Sequence, residues 1–320
     1  MIKTIAVLTS GGDSPGMNGA IRSITRSSIA RGIKIMGVRD GFLGLINDDI
    51  FELERFDVSG IITRGGTMLG SARVPGFTEL AVQDLALQNL KKHEIDALIV
   101  IGGDGSYRGA MSLIELGVKC VTIPGTIDND IPGTEETIGF DTALNTAIEA
   151  IDKLRDTSSS HHRCSVVEVM GNHCGDLALY SGISTGAELV ITPETGFDFN
   201  WTIERLKKLD ETRRERHAIV VISEKLTDVE DLAKSISQKT SFAGRSTVLG
   251  YIQRGGSPTA KDRLLATRMG DFAISALLDG EHGHSVGIVG GELVTMPLKD
   301  AFKLKKKVKT DMFDLQKRLV

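Results

Sequence analysis

Glycine and aspartate crowd two short stretches of the chain, Gly102-Gly103-Asp104-Gly105-Ser106 and Pro124-Gly125-Thr126-Ile127-Asp128-Asn129-Asp130. Each follows an apolar run, Ile99-Val100-Ile101 and Val121 to Ile123, of the kind that forms a strand buried on both faces. In an open α/β sheet, ligands bind just past the carboxyl ends of the strands. Glycine turns there offer bare backbone N–H groups to phosphate. Carboxylates do not bind phosphate directly, but they hold the Mg²⁺ that comes with it or act as general bases. One such loop would pass as ordinary turn composition, since Asp and Gly are turn residues. Two at successive strand ends point to phosphate, a metal and a base.

The elements that must position these loops can be read along the chain. Thr4 to Thr9 is a strand, followed by the turn Ser10-Gly11-Gly12-Asp13-Ser14-Pro15-Gly16. A helix follows with Met17, Ala20, Ile21 and Ile24 on one face, and Pro15 suits its start. Ile33 to Val38 is a second strand, and Ile50 to Leu53 with the Arg64-Gly65-Gly66-Thr67 turn is an excursion. Glu79 to His93 reads as a helix with Val82, Leu85, Ala86 and Leu90 inward. A long helix from about Gly139 buries Leu144, Ala147, Ile148, Ile151 and Leu154, and runs out between Asp156 and His162. Strands Ser165–Met170, Leu189–Thr192, Ala218–Ile222 and Thr247–Tyr251 follow, with helices Thr202–Glu215 and Asp228–Gln238 between them. A last helix, Asp262 to Leu278, needs a sheet to cover it.

This alternation predicts an α/β fold of two Rossmann-like domains with mostly parallel sheets and the active site in the cleft between them. At 320 residues two domains are expected. The larger takes 1–139 plus 253–303, the smaller 140–252 plus 304–320. A net charge of -4 gives no electrostatic case for nucleic acid or an anionic membrane. Cys120, Cys164 and Cys174 form no CxxC pair and leave one over, which argues for a reducing compartment and against a zinc site. With no signal-peptide layout and no apolar run of membrane length, the cytoplasm is the expected location. The basic run Lys303 to Lys309 reads as solvated surface.

No Gly-Lys dipeptide occurs, so there is no Walker-A loop, and no GxGxxG follows a strand. A nucleotide site must therefore come from the turns Gly11-Gly12, Gly65-Gly66 and Gly102-Gly103. Those turns resemble the bacterial-type ATP-dependent 6-phosphofructokinases. The matching pieces are LTSGGDSPGMN (Leu8 to Asn18), RGGT (Arg64 to Thr67), IGGDGSYRGA (Ile101 to Ala110), PGTIDND (Pro124 to Asp130), EVMG (Glu168 to Gly171) and IQRGGSP (Ile252 to Pro258). They span the chain in order. GGDG alone is weak, since NAD kinases and diacylglycerol kinases resemble it too; PGTIDND together with IQRGGSP is specific.

The resemblance implies transfer of the γ-phosphoryl of MgATP to the 1-hydroxyl of fructose 6-phosphate in glycolysis. Asp128 would accept the hydroxyl proton, with Thr126 beside it at the transferring phosphoryl. Gly12 and Arg73 would stabilise charge there, and Asp104 and Asp130 would hold Mg²⁺. Gly103, Asp104, Gly105 and Ser106 would cradle the nucleotide. Ile127, Met170, Gly171, Asn172, Glu224, Tyr251 and Arg254 would meet the sugar phosphate, joined by Arg163 and Arg245 from a neighbour in a homotetramer. Pyrophosphate-using relatives carry bulkier residues at the positions of Gly105 and Gly125, so ATP is the expected donor. An effector site for ADP or phosphoenolpyruvate resembles Arg22, Arg26, Arg55 and Ser59 together with Arg155, Gly186, Glu188 and Arg213.

Four positions depart from the family pattern. Gly60 stands where an acidic residue is usual and Glu215 where a lysine is usual, which predicts an atypical effector response. Asn172 stands for an arginine and Tyr251 for a histidine. Both changes remove positive charge near phosphate, so Asn172→Arg is expected to raise kcat/KM for fructose 6-phosphate. Two rival readings remain open to assay: another GGDG kinase acting on NAD or a lipid, and a catalytically weak regulatory subunit.

Overall fold

The computed structural model describes residues 2–212, 217–304 and 308–319. The chain divides into two units, residues 1–142 with 254–306, and residues 143–253 with 307–320. The first segment runs β1 (Thr4–Ser10), α1 (Met17–Ala30), β2 (Lys34–Val38), α2 (Phe42–Asn47), β3 (Ile50–Glu52), α3 (Leu80–Lys92), β4 (Ala97–Gly102), α4 (Asp104–Glu115) and β5 (Cys120–Pro124). Helix α5 (Phe140–Ser159) carries the chain across the unit boundary. There follow β6 (Arg163–Val169), α6 (Asp176–Thr185), β7 (Leu189–Ile191), α7 (Phe199–Thr212), β8 (Ala218–Ser223), α8 (Val229–Lys239) and β9 (Ala243–Val248). The chain returns with α9 (Ala260–Leu278), β10 (His284–Val289), β11 (Glu292–Pro297) and α10 (Leu298–Ala301), and α11 (Thr310–Leu319) belongs again to the second unit.

The first unit is built on a seven-stranded sheet in the order β11-β10-β5-β4-β1-β2-β3. The five inner strands are parallel, and β3 and β11 add antiparallel edges. Successive residues of β1 and β4 alternate between two cores, as a strand covered on both faces must. Ile5, Val7, Ile99 and Ile101 join Ile21, Ile24, Met269 and Ile274 of α1 and α9. Ala6, Leu8, Leu98 and Val100 join Leu45, Leu90, Tyr107 and Leu113 on the other face. The chain steps outward one way from β1 to β2 and the other way from β1 to β4, so the topological switch point lies between β1 and β4.

The second unit has a four-stranded, all-parallel sheet in the order β7-β8-β6-β9. Val166, Val220 and Ile222 pack with Leu206, Leu232, Ile236 and Phe242. Asp228 caps α8, its carboxylate accepting the N–H groups of Glu230 and Asp231 at 2.9 and 3.0 Å, the expected use of a short acid at that position.

Several local expectations need correction. Pro15 precedes α1 by two residues, and Gly16 at φ 109° makes the turn into the helix. On α3, Leu85 is exposed and Gln83 takes its buried place, because the core-facing stripe is Gln83, Ala86 and Leu90. On α5 the fully buried apolar positions are Ala143, Ala147 and Ile151, with Leu144, Ile148 and Leu154 only half-buried, and the helix continues to Ser159. Tyr251 is not a strand residue: β9 ends at Val248, and Tyr251 sits exposed in the 3₁₀ turn Gly250–Arg254. Helices α2 and α6 and the hairpin β10–β11 had no place in the sequence reading. In the basic run, Lys309 is engaged, with Nζ 2.6 Å from Tyr180 Oη and 3.6 Å from Asp176; residues 305–307 lie outside the described part.

Candidate active site

In the first unit, register brings three loops to one level. Ser10 lies opposite Gly102, and Gly102 opposite Pro124, so the turns after β1, β4 and β5 start side by side, the first two flanking the switch point. Glycine is required at Gly102, where a Cβ would collide with the Ser10 carbonyl and Ser106 Oγ. The Gly125 N–H donates to the Gly102 carbonyl at 3.0 Å, and a Cβ on Gly103 would sit 3.6 Å from Thr126 Cβ. The Thr126 carbonyl accepts from Thr137 Oγ1 at 2.6 Å, while its own Oγ1 accepts the Asp128 N–H at 3.2 Å. Asn129 takes a left-handed φ of 51° and donates its side-chain amide to the Glu135 carbonyl at 3.2 Å. Half-buried Asp128 is therefore carried on a loop tied at both ends, as a positioned base requires.

The other two glycine turns converge in the same unit. A Cβ on Gly12 would meet the Arg254 guanidinium at 3.3 Å, so the Gly12 backbone lies close beside the arginine. The Gly11 carbonyl accepts from Ser71 Oγ at 2.6 Å, which ties in the segment that carries exposed Arg73 two residues on. Gly65 stacks on Gly256, where any Cβ would strike the Gly256 carbonyl, and Ser257 Oγ donates to the Thr63 carbonyl at 2.8 Å. Asn18, 2% exposed on α1, holds the Gly65 turn from below. Its amide donates to the Arg64 and Gly65 carbonyls at 3.1 and 3.3 Å, and its Oδ1 accepts the Met68 N–H at 2.7 Å. Asn18, Ser71 and Thr137 were missed in the sequence. Asn18 stands inside LTSGGDSPGMN, but nothing local says which loop it serves.

Asp104, Gly105 and Ser106 form the first turn of α4, with Gly103 as its N-cap. The nucleotide expectation thus falls on a helix N-terminus, which favours anions. Asp104 is half exposed and pairs with Arg108 at 2.9 Å. A Cβ at Gly105 would meet nothing within 4 Å, whereas one at Gly125 would lie 3.0 Å from Ile101 and 3.1 Å from Met17. Gly105 thus faces open space, whereas at Gly125 the glycine answers to packing beneath the loop. No group of three or more His, Cys, Asp or Glu suited to a metal occurs among the described residues. Mg²⁺ takes one or two carboxylates and completes its shell with phosphate oxygens and water.

In the second unit the carboxyl ends of β6 and β8 lie side by side, Val169 opposite Ser223. Gly171 at φ 139° allows a turn closed by the Cys174 N–H on the Gly171 carbonyl at 2.8 Å. Glu224 Oε1 accepts the Asn172 N–H at 2.8 Å, the Glu224 N–H donates to the Val169 carbonyl at 2.8 Å, and Met170 N–H reaches Gln253 Oε1 at 3.3 Å. Burial, then the Glu224 and Asp228 charges, push the Glu168 carboxyl above its usual range. Arg163 does not join this cluster. It begins β6 at the amino end, so six residues of strand, about 20 Å, separate it from Val169. Arg245, exposed on edge strand β9, pairs with Ser165 and so shares the sheet face of Arg163.

The effector candidates gather in part. Arg155 donates to the Thr185 and Gly186 carbonyls at 2.7 and 3.0 Å, lies 3.5 Å from Glu188, and meets His217 Nε2 at 3.2 Å. Arg22 and Arg26 stand one turn apart on α1, and burial with the Arg26 charge lowers the Arg22 pKa. Arg55, Ser59 and Gly60 are exposed. Arg213 and Glu215 lie outside the described residues.

Parallel α/β sheets with glycine turns flanking a switch point, and an anchored aspartate on the adjoining loop, are the arrangement of a protein that handles phosphorylated small molecules. The phosphofructokinase family model matches residues 4–277. The chain is 53% identical over 320 residues to the ATP-dependent 6-phosphofructokinase of Aliivibrio fischeri, with all of both chains covered. It is 55% identical over 322 residues to that of Tolumonas auensis, again with both chains covered in full. Among solved structures it resembles phosphofructokinase from Saccharomyces cerevisiae at 35% identity and a TM-score of 0.87, over 99% of this chain and 48% of the yeast chain. A pyrophosphate-dependent phosphofructokinase from Marinobacter aquaeolei shares the fold at a TM-score of 0.86 and 21% identity, over 100% of this chain and 92% of that one. The chain belongs to the phosphofructokinase family.

Proposed function

We propose that the protein transfers the γ-phosphoryl of ATP to the 1-hydroxyl of fructose 6-phosphate, giving fructose 1,6-bisphosphate and ADP. The observation that carries this reading is the alignment of Gly12, Gly103 and the Thr126–Asp130 loop at neighbouring strand ends. Asp128 takes the hydroxyl proton as the sugar oxygen attacks. The Gly12 N–H and the Arg73 guanidinium stabilise the charge that builds on the phosphoryl oxygens. Such transfer rests on positioning and electrostatics more than on covalent participation of the protein. Asp104 and Asp130 would hold Mg²⁺, directly or through water; when bound, the ion neutralises phosphate charge. Gly105 leaves room at the first turn of α4 for the nucleotide, which favours ATP over pyrophosphate.

Met170, Gly171, Asn172 and Glu224 in the second unit, with Arg254 and Tyr251, bind the sugar phosphate. Arg163 stands at the amino end of β6 and Arg245 shares its sheet face, which supports their serving a neighbouring subunit of a homotetramer. Arg155, Gly186 and Glu188 belong to an effector site for ADP or phosphoenolpyruvate, together with Arg22, Arg26, Arg55 and Ser59. A cytoplasmic location agrees with this activity; no helix among the described residues is long and apolar enough to cross a membrane. The direct test is product analysis with the purified chain, MgATP and either fructose 6-phosphate or NAD. Phosphorylation of NAD and not of the sugar would overturn the proposal.

A further inference from the structure

Asn172 is not a simple loss of charge. Lys225 Nζ donates to Asn172 Oδ1 at 2.6 Å. An ammonium only donates, so the amide must turn its oxygen to Lys225 and its NH₂ the other way. The pair therefore presents only donors: the Asn172 NH₂ and the remaining hydrogens of Nζ. Both residues hold left-handed backbone, Asn172 at φ 56° and Lys225 at φ 68°. Lysine seldom adopts that region, and such strain persists where the surroundings over-determine it. Here they do, because the Glu224 N–H is fixed to the Val169 carbonyl and the Glu224 carboxylate to the Asn172 N–H. The two turns at the ends of β6 and β8 are laced together, with Lys225 on top and exposed. Glu224 and Asp228 lie close enough to Glu168 for their charges to add to the effect of burial on its carboxyl. Without a cation, those carboxylates would oppose any anion brought to this end of the sheet.

We propose that Lys225 is a binding residue for fructose 6-phosphate: its ammonium, seated on Asn172, supplies the positive charge that the sugar phosphate meets at the ends of β6 and β8. The inference rests on the kinase reading above and names a residue of that same site. It also reverses a simple expectation. Arginine at position 172 would bring a second cation against Lys225, so Asn172→Arg alone should give no gain.

Equilibrium binding tests this without turnover. Fructose 6-phosphate is titrated calorimetrically into the intact protein in the absence of ATP. Lys225→Met, which keeps the length of the side chain and removes its charge, should weaken binding by about tenfold or more, the loss of one charge-assisted hydrogen bond. Lys225→Arg should bind within about threefold of wild type, and the Asn172→Arg/Lys225→Met pair should recover most of the loss. Binding by Lys225→Met within about twofold of wild type, or Lys225→Arg no better than Lys225→Met, overturns the proposal. A wild type that binds the sugar phosphate but does not phosphorylate it refutes the kinase reading and still lets the role of Lys225 be measured. A wild type that binds no sugar phosphate refutes both.

Discussion

Asp262 offers a measurable link between the fold and pH. It is 1% exposed in the first turn of α9, and it anchors the start of α5. Its carboxylate accepts the Gly139 N–H at 2.9 Å, the Thr142 N–H at 2.8 Å and Thr142 Oγ1 at 2.5 Å. Burial outweighs those bonds and raises its pKa to about 6, from an ordinary 3.8. The folded state therefore keeps this proton to a higher pH than the unfolded state does. The stability it contributes is fully present below 3.8 and is lost as pH rises through about 6. The difference of roughly two pKa units is worth about 3 kcal/mol. Asp262→Asn removes the titration. The amide can still accept at one oxygen, but its NH₂ faces Thr142 donors, a cost of about 1–3 kcal/mol. The variant should thus be clearly less stable than wild type at pH 4 and nearly equal at pH 7. Urea midpoints for both proteins at half-unit steps from pH 4 to 8 give the difference directly, with other titrations cancelling. A difference that stays flat, or that grows in favour of wild type as pH rises, would refute the reasoning.

Asp128→Asn should bind both substrates and lose about 10²–10⁴-fold in kcat, as removal of a positioned base does; turnover near wild type would take the base assignment away. Mixing Arg163→Ser chains with Asp128→Asn chains should restore some activity in hybrid oligomers, and a fully active monomer in sedimentation would defeat the shared-site proposal. ADP activation should be weak, because Gly60 and Glu215 stand where acid and base are usual. Strong activation by ADP that Glu215→Lys leaves unchanged would contradict that.

Much of this protein was legible in one dimension because its chemistry sits in contiguous loops. Gly102 to Ser106 and Pro124 to Asp130 carry their own backbone requirements, and apolar runs just before them mark the strands. Periodicity likewise placed Met17, Ala20, Ile21 and Ile24 on the buried face of α1. Where the pattern was mixed, it misled. On α3 the sequence offers Leu85 and Gln83 to the same turn, and the packed structure buries the glutamine, with Asn89 fastening α3 to the Leu45 and Ile46 carbonyls at 2.9 Å. Tertiary structure alone decided the level of the three loops, since strand order and register are long-range facts: β1 meets β4 across some ninety residues of chain. It decided that a side chain at Gly125 would point into the core and one at Gly105 into open space. It also set Lys225 on Asn172, a pair 53 residues apart in sequence. A charge missing from one position of a motif can be supplied from another strand end, because hydrogen bonds and Coulomb forces act through space and take no account of sequence separation.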